Sequence, residues 1–304
     1  MLSFGQTKSL LVHTWQDWNQ DQAPRLGAAL SFYTMLSIAP LLILLIAIAG
    51  LVFGEEAARG QLFGQIRSLV GDEGAGAIQE MVQNASKPGS GVFASLVGFV
   101  TLLVGASTVA TELQYALNQI WTHKPIDDPG GITSMVKQKG LALAVVLGAG
   151  FLLVTSLAVS SVIAVAGTWF SGFLPLPELA LQVLNLLLSI AVITGVFAVL
   201  FRYLPDAVRP SWRDVLPGAL FTSVLFSIGK TLIGLYLGKA SVGSTYGAAG
   251  SLVIVLIWVY YSAQILFFGA EFTQVYAREY GTDPLHCRGR SKAEPQHAEP
   301  VRKK

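Results

Sequence analysis

Charge is scarce in this chain. Asp, Glu, Lys and Arg make up 12% of its 304 residues, against about 25% in soluble domains. With 53% hydrophobic residues and a mean hydropathy of +0.58, too little polar surface remains to cover a soluble body of this size. Cysteine is nearly absent. Cys287 stands alone, which excludes an internal disulfide and a thiolate metal cluster. Histidine is rare, and His13, His123, His286 and His297 share no short motif. HxH, HExxH, P-loop and dinucleotide fingerprints are missing. Metal-dependent phosphodiester cleavage needs His and carboxylate ligands converging on one or two cations, and a Ser-His-Asp hydrolase needs a histidine that cannot be placed here. There is no folded basic surface to hold RNA. The sequence therefore predicts no enzyme, no cofactor or metal, and no nucleic-acid partner. The first 24 residues lack the short apolar core and small-residue cleavage site of a signal peptide, so the amino end is expected to be retained.

What is abundant is apolar length. A bilayer core about 30 Å thick needs ~20 apolar residues of helix. Uncharged stretches, trimmed for turn residues, give spans near 28–53, 92–110, 141–166, 179–201, 215–237 and 248–270. The long run 140–177 ends in Gly172, Pro175 and Pro177, which read as a surface turn, and is too short for two crossings. The expected fold is an all-α membrane protein with six transmembrane helices. Residues 1–24 form an inner-face segment, 25–280 the transmembrane domain, and 281–304 a disordered cytoplasmic tail.

Orientation follows from the basic residues. With the amino end inside, the inner segments hold fifteen Lys and Arg and the outer segments four. Both termini are then cytoplasmic.

Between the spans, Phe4, Leu11, Trp15 and Trp18 recur at helical spacing and predict an amphipathic helix on the inner face. Pro24 suits a first helical position. The segment from Pro24 to Phe53 makes about 45 Å of helix, longer than the bilayer, with Pro40 in its middle. A kink or break is expected at Pro40, because proline has no N–H to donate. The outer segment 54–91 carries two apolar faces, Leu62, Phe63, Ile66, Leu69 and Val70, then Ile78, Met81 and Val82. Gly71, Gly74 and Gly76 lie between, predicting two short outer helices.

Ionisable groups in spans are candidate working residues, since each is costly to insert. Glu112, Arg202 and Glu271 all fall at inner span ends and are expected to form a charge network, with Arg202 bonded to an acid. The plainer alternative is interfacial charges facing water. Lys230 lies roughly 10 Å below the outer end of the fifth span. It points either into a polar cavity or along the lipid face. The Ser241–Gly250 segment, with Ser244, Thr245 and Tyr246, fits irregular backbone at a cavity mouth or a flexible outer turn. Trp258, Tyr260 and Tyr261 sit well inside the last span and need polar partners, for which Ser262 and Gln264 are nearest. Gly50/Gly54, Gly234/Gly238 and Gly243/Gly247 have GxxxG spacing, which marks close helix packing more often than a homo-oligomer interface.

Several runs together resemble one family. They are Ala28-Ala-Leu-Ser-Phe-Tyr-Thr-Met-Leu-Ser-Ile-Ala-Pro40, Leu117-Asn-Gln-Ile-Trp121, Arg202-Tyr-Leu-Pro205 and Trp212-Arg-Asp-Val-Leu-Pro-Gly218. They continue with Ser244-Thr-Tyr-Gly-Ala-Ala-Gly250, Trp258-Val-Tyr-Tyr-Ser262 and Gly269-Ala-Glu-Phe-Thr273. In this order, over about 8–280, the chain is similar to the YihY/BrkB family of bacterial inner-membrane proteins. The resemblance implies a six-span envelope protein linked in some members to virulence and serum resistance, and in others to lipid or solute transport. The family's old label as a transfer-RNA-processing nuclease finds no residues here to support it.

Two functions stay open on the sequence. One is a transporter or translocator of an anionic lipid or small solute, favoured by buried polar residues, a broken span and the glycine-rich segment. The other is a non-transporting protein that organises or stabilises envelope components. Membrane lipids are partners in both.

Overall fold

A computed structural model describes residues 4–86, 92–122, 139–155, 178–206, 208, 210–239 and 249–281. The tail beyond Gly281, the turn at 167–177, and Ser244, Thr245 and Tyr246 lie outside them. The described residues are helical, with no strand among them: α1 (Phe4–Gln20), α2 (Ala23–Phe53), α3 (Glu55–Ala85), α4 (Val92–Thr122), α5 (Lys139–Thr155), α6 (Glu178–Tyr203), α7 (Trp212–Lys239) and α8 (Gly250–Tyr280). By length and composition, Ala23–Phe53, Val100–Thr122, Trp212–Tyr236 and Gly250–Tyr280 are candidate membrane spans, and Lys139–Thr155 and Leu187–Tyr203 are shorter apolar helices.

Two apolar clusters fix which ends meet. One joins the start of α2 (Ala23, Leu26), the end of α4 (Leu117, Ile120), the start of α5 (Ala142), the end of α6 (Phe201, Leu204), the start of α7 (Val215) and the last half of α8 (Phe267, Ala270). The other joins the far half of α2 (Leu45, Ala49) with α3, Val154 of α5 and Val255 of α8. The helices α2, α5, α7 therefore leave the first cluster, and α4, α6, α8 return to it. Because α1 also packs on α8 there, through Leu10, Phe272 and Val275, it is called the α1 end below.

Local chemistry explains the joints. Gly54 alone separates α2 from α3, at φ 84°, where a side chain would be strained. Inside α3, Gly71 has φ 79° and ψ 177°, a conformation restricted in practice to glycine. It kinks the segment into two helices. The apolar faces read from the sequence are the packed ones: Leu62, Val70, Ile78 and Val82 are buried, with Phe63, Ile66 and Met81 against them.

One expectation needs correction. The helix is not broken at Pro40, since α2 runs unbroken from Ala23 to Phe53. Proline removes one hydrogen bond to the preceding turn, but its ring is accommodated by the neighbouring helix. A side chain on Gly105 of α4 would begin only 3.0 Å from Pro40 Cγ. The helix α1 expected from the spacing of Leu11 and Trp15 is present as Phe4–Gln20 and keeps both on its free side. Its buried positions are Leu10, Thr14 and Asp21 of the following turn, while Leu11, Val12 and Trp15 are exposed.

The helices α7 and α8 pack closely. A Cβ on Gly218 would fall 1.9 Å from Thr273 Oγ1, and one on Gly269 would fall 2.0 Å from Thr222 Oγ1. Each threonine hydroxyl is satisfied within its own helix, Thr222 donating to the Gly218 carbonyl and Thr273 to the Gly269 carbonyl, both at 2.7 Å. Such Gly-to-hydroxyl contacts let helix backbones approach without leaving a polar group bare.

Candidate functional site: a buried polar cluster at the α1 end

Helix hydrogen bonding does not stop where hydropathy falls, so α4 and α8 continue past their predicted span ends at 110 and 270. Their extra turns carry polar side chains into the α1 end. Gln114 donates from Nε2 to the Leu204 carbonyl at 3.0 Å. Asn118 donates to Asp206 Oδ1 at 2.6 Å and accepts the Asp206 backbone N–H at 3.0 Å. Gln119 donates to the Asp21 carbonyl at 3.0 Å. One face of α4 thus holds the α6–α7 connection and the α1–α2 turn together, and Trp121 is buried between Val208 and Ala277.

From α8, Arg278 Nη2 donates to Asp17 Oδ2 at 2.8 Å, and Glu279 pairs with His13. Both bonds clamp α1 to α8. Two turns deeper on α8 lies Glu271, at 0% exposure among the bundle's largest fully buried side chains. Its neighbour across the contact is the Asp21 carboxyl, 5% exposed, with the Asp17 carboxyl and the Arg278 guanidinium also acting on it. Neither Glu271 oxygen receives a hydrogen bond from a conventional donor. An ionised carboxylate only accepts, whereas a carboxylic acid can also donate to its neighbour. Among the described residues, no three His, Cys, Asp or Glu side chains are grouped as metal ligands.

The structure brings some predicted residues together and separates others. Arg202 bonds to neither Glu112 nor Glu271. Its guanidinium lies over the Trp212 ring, 5.5 Å from the centroid, and Tyr203 meets the same ring edge-on at 6.0 Å. Lys230 is half-buried, two turns along α7 from Ser223, whose hydroxyl meets Thr194 of α6 at 2.8 Å. It lines none of three grooves on the bundle: about 580 Å³ between α1 and α8, about 410 Å³ between α6 and α7, and about 440 Å³ among α5, α6 and α7. Tyr260 is exposed at 38%. Tyr261 packs at Gly229 of α7, and the Gln264 amide packs at Gly27 of α2.

Asp17, Asp21, Gln114, Asn118 and Arg278 were not singled out by the sequence. A usable signal existed. Asp17 and Asp21 are four residues apart on a helix, and Glu271 and Arg278 are seven apart on another, so each pair shares a face.

The profile of the family described as Virulence factor BrkB matches residues 14–293. The chain belongs to the BrkB family. Similar proteins include a UPF0761 membrane protein of Psychrobacter sp. (strain PRwf-1), 28% identical over 86% of this chain and 48% of its own. Others are UPF0761 membrane proteins of Pseudomonas paraeruginosa, 30% identical over 82% and 58%, and of Verminephrobacter eiseniae, 31% over 81% and 57%. The chain spans about half the length of these curated relatives. No solved structure matches it. These names give the BrkB relatives a membrane setting and no reaction. The match to the family covers the whole polar cluster except His13, which lies one residue before it.

Proposed function

We propose that this BrkB-family chain is a six-span inner-membrane protein that moves a lipid or small solute, with its polar cluster at the cytoplasmic end. The alternation of α2, α4, α5, α6, α7 and α8 between the two ends supports six crossings, and the fifteen-to-four basic bias supports a cytoplasmic α1 end. The observation that carries transport is Glu271. A bundle that only organises neighbours has no need of a carboxyl at 0% exposure facing a second carboxyl. Ionisable groups buried in a membrane bundle mark ion, proton or substrate pathways far more often than scaffolding. The cluster joins α1, α2, α4 and α8, so a change in the charge it holds acts on four elements at once. The test is a flux screen with the full chain in proteoliposomes, following fluorescent phospholipids and small organic anions with and without a proton gradient. Flux above protein-free vesicles supports the reading, and its absence across the screen favours an organising role.

A further inference from the structure

The amphipathic helix α1 leaves its most apolar side uncovered. Leu11, Val12 and Trp15 are 38%, 45% and 57% exposed, although Leu10 and Thr14 on the same helix are fully buried against the bundle. The uncovered side and Phe268 of α8 form a groove of about 580 Å³, within the range of small-molecule sites. Trp15 stacks on Trp18 at 5.1 Å. Lys8 is the one charged side chain that lines the groove.

We infer that this groove holds one anionic phospholipid of the inner leaflet, an acyl chain along Leu11, Val12, Trp15 and Phe268 and its phosphate at Lys8. The depth of the groove argues for lipid over a second protein. Phe268 lies just inside the predicted inner end of the last span at 270. Lys8 and Phe268 line the same groove, which brings Lys8 to the level of Phe268. That is headgroup level, where stacked indoles anchor and where a lysine meets the negative cytoplasmic surface. An ammonium at the edge of an apolar trough matches a phosphate above a chain. The site rests on the membrane placement proposed above, and not on transport.

The test uses Trp15 as the reporter. The full chain is reconstituted in phosphatidylcholine nanodiscs containing increasing brominated phosphatidylglycerol or brominated phosphatidylcholine. The Trp15 signal is the difference between wild type and Trp15→Phe. The expected result is quenching by the anionic lipid at about fivefold lower mole fraction, the ratio that one lysine near an anionic headgroup supplies. Lys8→Gln should remove that preference and Lys8→Arg restore it, both on exposed positions that leave folding intact. Equal quenching by the two lipids would show bulk lipid only. No quenching by either, with or without dimer cross-linking through Val12→Cys, would show a groove covered by protein. Either result overturns the inference. A failed topology leaves its own mark in reporter fusions, so the two failures are distinguishable.

Discussion

Glu271 of α8 meets Asp21 of the α1–α2 turn, two buried carboxyl groups in contact. The chemistry of that contact predicts an order of stabilities. Glu271→Gln places an amide N–H against the Asp21 carboxyl, so the fold should be kept and its thermal midpoint unchanged or raised. Glu271→Leu has similar bulk but strands Asp21 beside apolar atoms, which should lower stability by about 1–3 kcal/mol. Thermal unfolding in detergent measures both. Equal midpoints for Gln and Leu would show that the two carboxyls do not interact.

Glycine substitutions should have opposite signs at different positions of α7. At Gly218 a methyl would collide with Thr273, backbone included, at 1.9 to 3.0 Å. Gly218→Ala should therefore part α7 from α8 and destabilise by roughly 1–3 kcal/mol. At Gly234 nothing lies within 4 Å. Gly234→Ala should stabilise by up to about 1 kcal/mol through helix propensity. Chemical denaturation of the two variants checks the contrast, and a neutral Gly218→Ala would refute the packing described.

Helix positions were legible because apolar runs and turn residues bound them. The packed faces of α3 and the hinge at Gly71 also followed from side-chain periodicity. What hydropathy could not show is where α4 and α8 end, because backbone hydrogen bonding continues into polar sequence as far as Thr122 and Tyr280. Asp17 and Asp21 carry no signal in hydropathy. Only the docking of α1 on α8 turns them inward. Arg202 fails for a related reason. Equal depth was taken for proximity, whereas the angle around the helix axis sends its guanidinium to Trp212. Pro40 was read from backbone chemistry alone, without the small Gly105 on the facing helix that receives its ring.

Arg202 should accordingly be worth little. A stacked, half-exposed guanidinium contributes about 0.5–1 kcal/mol. Arg202→Gln should lose no more than that, in contrast to the loss expected of a buried ion pair. A double-mutant cycle should find coupling with Trp212→Leu and none with Glu112→Gln. Coupling to Glu112 would restore the charge network.

The six-crossing reading makes a topological prediction. Reporters fused after Gly60 and after Gly172 should face the periplasm, and reporters after Pro129 and at the carboxyl terminus should face the cytoplasm. An enzymatic reporter pair active on opposite sides of the membrane reads each fusion. A cytoplasmic signal from either of the first two would remove a crossing and, with it, the placement of the polar cluster.

If the buried carboxyl at the α1 end works in transport, wild type and Glu271→Gln must differ in the same proteoliposomes. The amide keeps the shape and the contact with Asp21 while removing the ionisable group. The account predicts that the variant inserts and unfolds like wild type but loses at least tenfold of the flux, together with any response to a proton gradient. Wild-type flux from a correctly inserted Glu271→Gln protein would contradict it.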